Sequence, residues 1–337
     1  MYFSGSEDHI VSDNAMQAPA QAHSRLEHFP IGLFAIVMGL AGLTLATLRL
    51  EHAAGAGRIL SPWALGLTIA VFLFLLAAYA AKALRFPAAV KADWNHPVKI
   101  AFFPAISIGM LLISTAMVPL MPAVAGIVWG LGAVLHLAGT LAVVSSWIGH
   151  RKWETVQMSP AWFIPAVGNV IVPVAGARLG YTEISWFFFT TGILFWMILL
   201  TLVFNRLIFH APLPERLYPT LMILVAPPAV CFVAWHELTG DLNPFARVLY
   251  YGAVLFALVV AAQIGKLVRL PFVISWWAYS FPVAALTIAT FLYGEASGKP
   301  GFITAGYALY AVLAAVIAML IMRTLSAAAR GLICQPE

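Results

Sequence analysis

Charge is scarce in this sequence. Asp, Glu, Lys and Arg make up 9% of its 337 residues, against 62% hydrophobic, where a soluble domain carries about a quarter charged residues. So little charge cannot clothe a water-facing surface, which excludes an ordinary soluble globular protein and leaves an integral membrane protein. Cysteine is nearly missing too. Cys231, inside an apolar run, and Cys334, near the C-terminus, cannot build a disulfide framework or a four-ligand metal site. Carboxylates are absent from the middle of every long apolar run: Glu51, Asp93, Glu154, Glu183, Glu215, Glu237, Asp241 and Glu295 fall in loops or at run ends. That argues against a carboxylate proton relay or a cation site within the membrane. The formal net charge is +5, yet no basic stripe with interleaved aromatics appears. The excess speaks for loop topology and anionic headgroups, and no nucleic-acid partner is expected.

What is present is a succession of ten apolar segments, at about 30–48, 62–84, 98–119, 122–149, 160–178, 184–209, 218–236, 245–268, 272–293 and 302–322. A helix of roughly 20 residues crosses the hydrocarbon core of a bilayer. The polar residues 1–28 have no apolar h-region and read as a cytoplasmic tail. Residues 29–326 form the membrane domain, and 327–337 a second tail. Thirteen of the 18 Lys and Arg residues fall on one side of these spans; Arg49, Arg58, Arg178, Arg247 and Lys299 fall on the other. The positive-inside bias then places both termini in the cytoplasm, as an even number of spans requires.

Prolines sort the segments. Interior prolines occur in the third (Pro104), fifth (Pro165, Pro173), seventh (Pro227, Pro228) and ninth (Pro282), while the even segments have none. The first lacks one but carries Gly32, Gly39 and Gly42. With a loose period of about 60 residues, this predicts five helical hairpins, each pairing a broken helix with an unbroken one. Broken backbone at membrane depth is tolerated where protein buries it or where it lines a wet cavity. The odd helices are therefore expected inside, around a central pore, and the even ones against lipid. The ninth segment is the most pointed case: Ser280, Phe281 and Pro282 break it near its middle, with an aromatic ring beside the break.

FPIGLFAIVMGLAGL (29–43), HPVKIAFFP (96–104), PAWFIPAVGNVIVP (160–173), LVAPPAV (224–230) and SWWAYSFPVAAL (275–286) together resemble the tellurite-resistance/dicarboxylate transporter family, which includes the bacterial TehA proteins and the slow anion channels of plant guard cells. The resemblance implies an all-α membrane protein of ten helices in five hairpins, a pore in each subunit and a homotrimer. It also implies that a phenylalanine on the ninth helix plugs the pore; the matching position is Phe281. Family members pass small inorganic anions or carry dicarboxylates, and some export sulfite. The expected setting is a bacterial inner (plasma) membrane.

Each residue also has a plainer reading. Without the resemblance, Phe281 would be taken to pack against lipid or a neighbouring helix. Pro104, Pro165, Pro227 and Pro282 kink and shape the pore wall, or only tune packing; Pro173 and Pro228 are weaker candidates. Gly39, Asn169 and Ser280 are candidates for the pore lining, with Asn169 open to a second reading as a hydrogen bond between helices. His136, in the fourth segment, reads as a neutral structural histidine. Gly126 and Gly130 form a small-xxx-small pair suited to close helix packing. There is also no Lys or Arg at midspan, so anion preference rests on the resemblance. An intramembrane enzyme would need a nucleophile with a base, paired aspartates or an HExxH zinc motif. His236, Glu237 and Leu238 stop short of a second histidine, so no catalytic residue, metal or cofactor is expected. An anion channel leads; a secondary carrier or exporter of C4-dicarboxylates, sulfite or tellurite-type oxyanions is the alternative.

Overall fold

The computed structural model describes residues 24–149, 153–267 and 269–335. The basic residues Arg151 and Lys152, and most of the expected N-terminal tail, lie outside them. Among the described residues the chain is helical and has no strand. Its α-helices are α1 (Phe34–Ala53), α2 (Ser61–Arg85), α3 (Pro87–Asn95), α4 (Ala105–Met117), α5 (Pro122–Ile148), α6 (Phe163–Val167), α7 (Val172–Gly176), α8 (Thr182–Phe209), α9 (Ala226–Thr239), α10 (Pro244–Ala261), α11 (Ile264–Leu267), α12 (Ser280–Ser297) and α13 (Pro300–Ala329).

Nine helices among the described residues are long and apolar enough to cross a membrane, where ten were expected. The difference lies in the fifth apolar segment, a shorter stretch, Pro160–Gly176. It is divided into a 3₁₀ turn (Pro160–Trp162), α6, a second 3₁₀ turn (Gly168–Ile171) and α7. Pro165 and Pro173 donate no backbone hydrogen bond, so an uninterrupted α ladder cannot run through both. Every residue from Ser159 to Gly176 is buried, which keeps this irregular backbone away from lipid.

The spans fall into two populations. In Ile31–Ala53, Lys99–Met117, Glu215–Thr239 and Ile274–Ser297, 72% to 78% of the most apolar stretch is buried; in the other five, 22% to 33% is. The first group is the set with proline or glycine breaks. Each of its members opens with 3₁₀ geometry, at Ile31–Leu33, Lys99–Phe102, Glu215–Leu224 and Ile274–Tyr279, before turning α-helical. The prolines sit at that change. Pro104 is the N-cap residue of α4, Pro227 and Pro228 are the second and third residues of α9, and Pro282 is the third of α12. In a first turn the missing N–H forfeits no intrahelical bond. These prolines start α-helices rather than bend them, a correction to the expectation of mid-helix kinks.

Packing follows the chain. α1 lies on α2, α4 on α5, α6 and α7 on α8, α9 on α10, and α12 on α13. The buried segments also touch one another in a circuit, α1 to α4, α4 to α7, α7 to α9, α9 to α12, and α12 back to α1. α5 shows how an outer helix is patterned: Ala125, Trp129, Gly132, Ala133, His136, Thr140 and Val143 form its buried stripe, at the spacing of one helix face. Gly126 and Gly130 lie off that stripe, and a Cβ added at either would meet nothing within 4 Å. The close contacts use other glycines: Gly132 against Leu111, and Gly139 against the Pro104 ring.

Two buried charge sites fix the ends of α2. Glu51 accepts hydrogen bonds from the backbone N–H groups of Ile59, Leu60 and Ser61 and from the Ser61 hydroxyl. A carboxylate thus caps the first turn of α2, where it suits the helix dipole. At the other end Lys82, only 2% exposed, pairs with Asp93 of α3 at 2.5 Å and donates to the Phe29 carbonyl at 2.9 Å. Lys99 reaches the same carboxylate at 3.2 Å.

Candidate functional site

All five buried segments contribute to one cavity of about 680 Å³. Its wall includes Leu48 of α1, Thr115 of α4, Val174 of α7, Val233 of α9 and Ile288 of α12. A second, smaller space of about 40 Å³ is lined by Met38, Ile108, Val167, Gly168, Ala226 and Pro227, among others from the same five segments. Phe281, Ile171 and Val230 border both. Phe281 is thus common to both linings, and it is 8% exposed.

Local sequence explains how the ring comes to be there. Phe281 is the second residue of α12, directly after the 3₁₀ run Ile274–Tyr279. That run is anchored by the Trp277 indole N–H, which donates to the Thr324 hydroxyl of α13 at 2.9 Å. The Ser280 hydroxyl donates to the Trp277 carbonyl at 2.6 Å. α1 presents Gly39 and Gly42 to this turn. A Cβ at Gly39 would stand 2.3 Å from the Ser280 Oγ, and one at Gly42 would stand 2.7 Å from the Ala284 Cβ and 3.5 Å from the Phe281 Cδ2. Two missing side chains let α12 lie against α1.

The other predicted residues divide. Pro227 borders the smaller space, while Pro104, Pro165 and Pro282 are not among the residues that line either cavity. Neither are Gly39, Ser280 and Asn169. Gly39 and Ser280 face each other in the α1–α12 contact. Asn169 is fully buried and donates to the Thr140 hydroxyl of α5 at 3.0 Å and to the Ala166 carbonyl at 2.8 Å, so it forms the helix-to-helix hydrogen bond of its two readings. Thr140 lies 2.7 Å from the Pro165 carbonyl. His136 is equally buried, 3.0 Å from the Ser107 hydroxyl, which donates to the Pro104 carbonyl. α5 thus supplies polar side chains where α4 and α6 are interrupted, as buried backbone carbonyls near a break require.

The charged end of the large cavity was hidden in the sequence. Arg49, Arg58, Arg178, Glu51 and Glu237 line it together with His52. Arg178 grips Glu237 with two nitrogens, Nε to Oε2 at 2.7 Å and Nη2 to Oε1. Arg49 reaches the same Oε1 at 3.2 Å and Glu295 of α12 at 3.1 Å. Arg58 donates to the Pro119 carbonyl at 2.7 Å. One signal did point here: these three arginines are among the five basic residues on the side that the positive-inside bias leaves poor in charge.

All-helical, multi-pass and hollow, with guanidinium groups at the cavity's charged end, the chain has the build of a membrane transport protein. A family profile, SLAC1, described as "Voltage-dependent anion channel", matches residues 28–325, and the chain belongs to that family. It is 29% identical over 230 residues to the S-type anion channel SLAH3 of Arabidopsis thaliana, covering 67% of this chain and 36% of the relative. It is 24% identical over 300 residues to the guard cell S-type anion channel SLAC1 of the same plant, covering 84% and 52%. Over 261 residues it is 28% identical to the tellurite resistance protein TehA homolog of Haemophilus influenzae, covering 76% and 79%. The chain spans between about a third and a half of the length of these two plant relatives.

Proposed function

We propose that the ten apolar segments cross the bilayer as five antiparallel hairpins with both termini in the cytoplasm, and that the buried five wall an anion-conducting pathway closed at Phe281. One observation supports this reading above the others: Phe281, Ile171 and Val230 line both of two spaces to which all five buried segments contribute. A benzyl ring in a narrow apolar throat excludes hydrated ions sterically and by dewetting. Opening then needs a rotamer change, which the side chains packed around the ring must permit. Membership of an anion-channel family and relatives named as anion channels support small inorganic anions as the cargo. The guanidinium groups of Arg49, Arg58 and Arg178 give the large cavity a reason to attract them. The resemblance supports assembly as a homotrimer, which native mass spectrometry of the purified protein checks.

Planar-bilayer recording tests the reading directly. Phe281→Ala is expected to raise anion conductance by about an order of magnitude or more, since a sterically blocked throat is emptied. Unchanged currents in a well-folded Phe281→Ala protein would remove the ring from the gate. The second reading is a carrier, favoured by a large space on one side of a closed throat, the shape of a substrate site open to one face. Saturable flux stimulated by counter-substrate, without single-channel steps, would decide for it.

A further inference from the structure

We propose that Glu237 is an internal competitor for entering anions, and that the Arg49–Arg178 pair it occupies is a latent docking site for planar anions that offer two oxygens. The inference rests on the anion pathway proposed above. Arg178 holds Glu237 through Nε and Nη2 on separate oxygens, the fork-to-fork fit that a guanidinium makes with a planar two-oxygen group and not with a spherical halide. Arg49 adds a third contact from another helix. The three groups line the large cavity, and Arg178 is 37% exposed, so an anion in the cavity has access to the fork.

The remaining charges do not fill this role. Glu51 lines the same cavity, but three backbone N–H groups and a hydroxyl already use its oxygens. Glu295 holds only the Nη1 side of Arg49. Arg58 is bonded to a neutral carbonyl, and the cavity's histidine is His52. With Glu237 neutral, Arg178 loses its carboxylate and Arg49 one of two. Arg178 is 37% exposed, so water reaches the pair and weakens it, which leaves the carboxylate open to displacement by a solute anion. Such an arrangement keeps anions bound loosely, as rapid passage demands.

Calorimetric titration of the purified full chain with formate and with chloride tests this. Glu237→Gln keeps the side chain's shape and removes its charge; it is expected to tighten formate binding about tenfold and chloride binding by clearly less. Glu237→Asp, which shortens the carboxylate, is expected to fall between wild type and Glu237→Gln, and it carries the test if the amide variant does not fold. Adding Arg178→Gln is expected to abolish the gain. Affinities unchanged in both Glu237 variants, an equal gain for both anions, or a gain that survives Arg178→Gln would overturn the proposal. Flux into proteoliposomes, measured in parallel, keeps the two readings apart. A wild-type protein that binds formate at Arg178 but passes no anion sinks the pathway and leaves the docking site standing.

Discussion

The inner and outer helices of this molecule are made of nearly the same material. Mean hydropathy is 1.2 to 2.2 in the four continuous buried spans and 1.8 to 2.3 in the five exposed ones. The difference is in the backbone. The inner segments begin as 3₁₀ helix, change to α at a proline or beside a glycine, and pack on every side; the outer ones run unbroken, with residues such as Trp63, Phe74, Leu84 and Ile127 exposed. In a membrane, apolarity does not decide which helix is core, because lipid is as apolar as leucine. Irregular backbone does decide, since it must be sheltered from lipid.

Matched substitutions break or sharpen that contrast. Beyond the conductance change expected for Phe281→Ala, the largest effect is expected on the inner side. Gly39→Ala drives a methyl into Ser280, at 2.3 Å from its Oγ and 2.8 Å from its Cβ, and overpacking of this kind costs about 2–3 kcal/mol. A clear fall in the melting temperature of the detergent-solubilised protein is the readout; an unchanged one would mean that α1 and α12 are not in close contact. Thr140→Val, at the boundary between the two layers, removes the hydroxyl beside the Pro165 carbonyl and the acceptor of Asn169. About 1–2 kcal/mol is expected for leaving those buried groups unpaired, read from the same melt. Gly126→Ala on the outer face meets open space and is expected to change stability by no more than about 0.5 kcal/mol. A large loss there would reveal a contact outside the chain, for instance with a second subunit.

The sequence carried the class and the sorting of helices because both depend on local features: long apolar runs, and prolines confined to alternate runs. It was less informative about where those prolines act. Pro227 and Pro282 look interior when a span is counted by hydropathy, because the apolar 3₁₀ residues before them belong to the same run. The fifth segment read as one span for the same reason, although Pro165 and Pro173 divide it. Spacing alone singles out Gly126 and Gly130, and spacing does not say which face of a helix turns inward; the close contacts fall at Gly132 and Gly139. Asn169 sits in an inner segment, but only tertiary placement brings Thr140 within its reach. The Arg49–Arg178–Glu237–Glu295 cluster was the least visible. Its members lie at the ends of four different segments, each an ordinary terminal charge until the circuit of inner helices closes and brings them to one rim.

The ten-residue 3₁₀ stretch Glu215–Leu224 is far longer than such turns usually run. At about 2.0 Å per residue it reaches about 20 Å, where α geometry would cover about 15 Å. The seventh segment is therefore drawn out like an extended screw. Rewinding that stretch to α form would retract its loop end by about 5 Å and turn that end by about 200° relative to α9, given about 20° of extra turn per residue. Ile223, which lines the smaller space, sits at the α9 end of that thread and would turn by only about 20–40°, so the throat side of the seventh segment stays in place while its loop end travels.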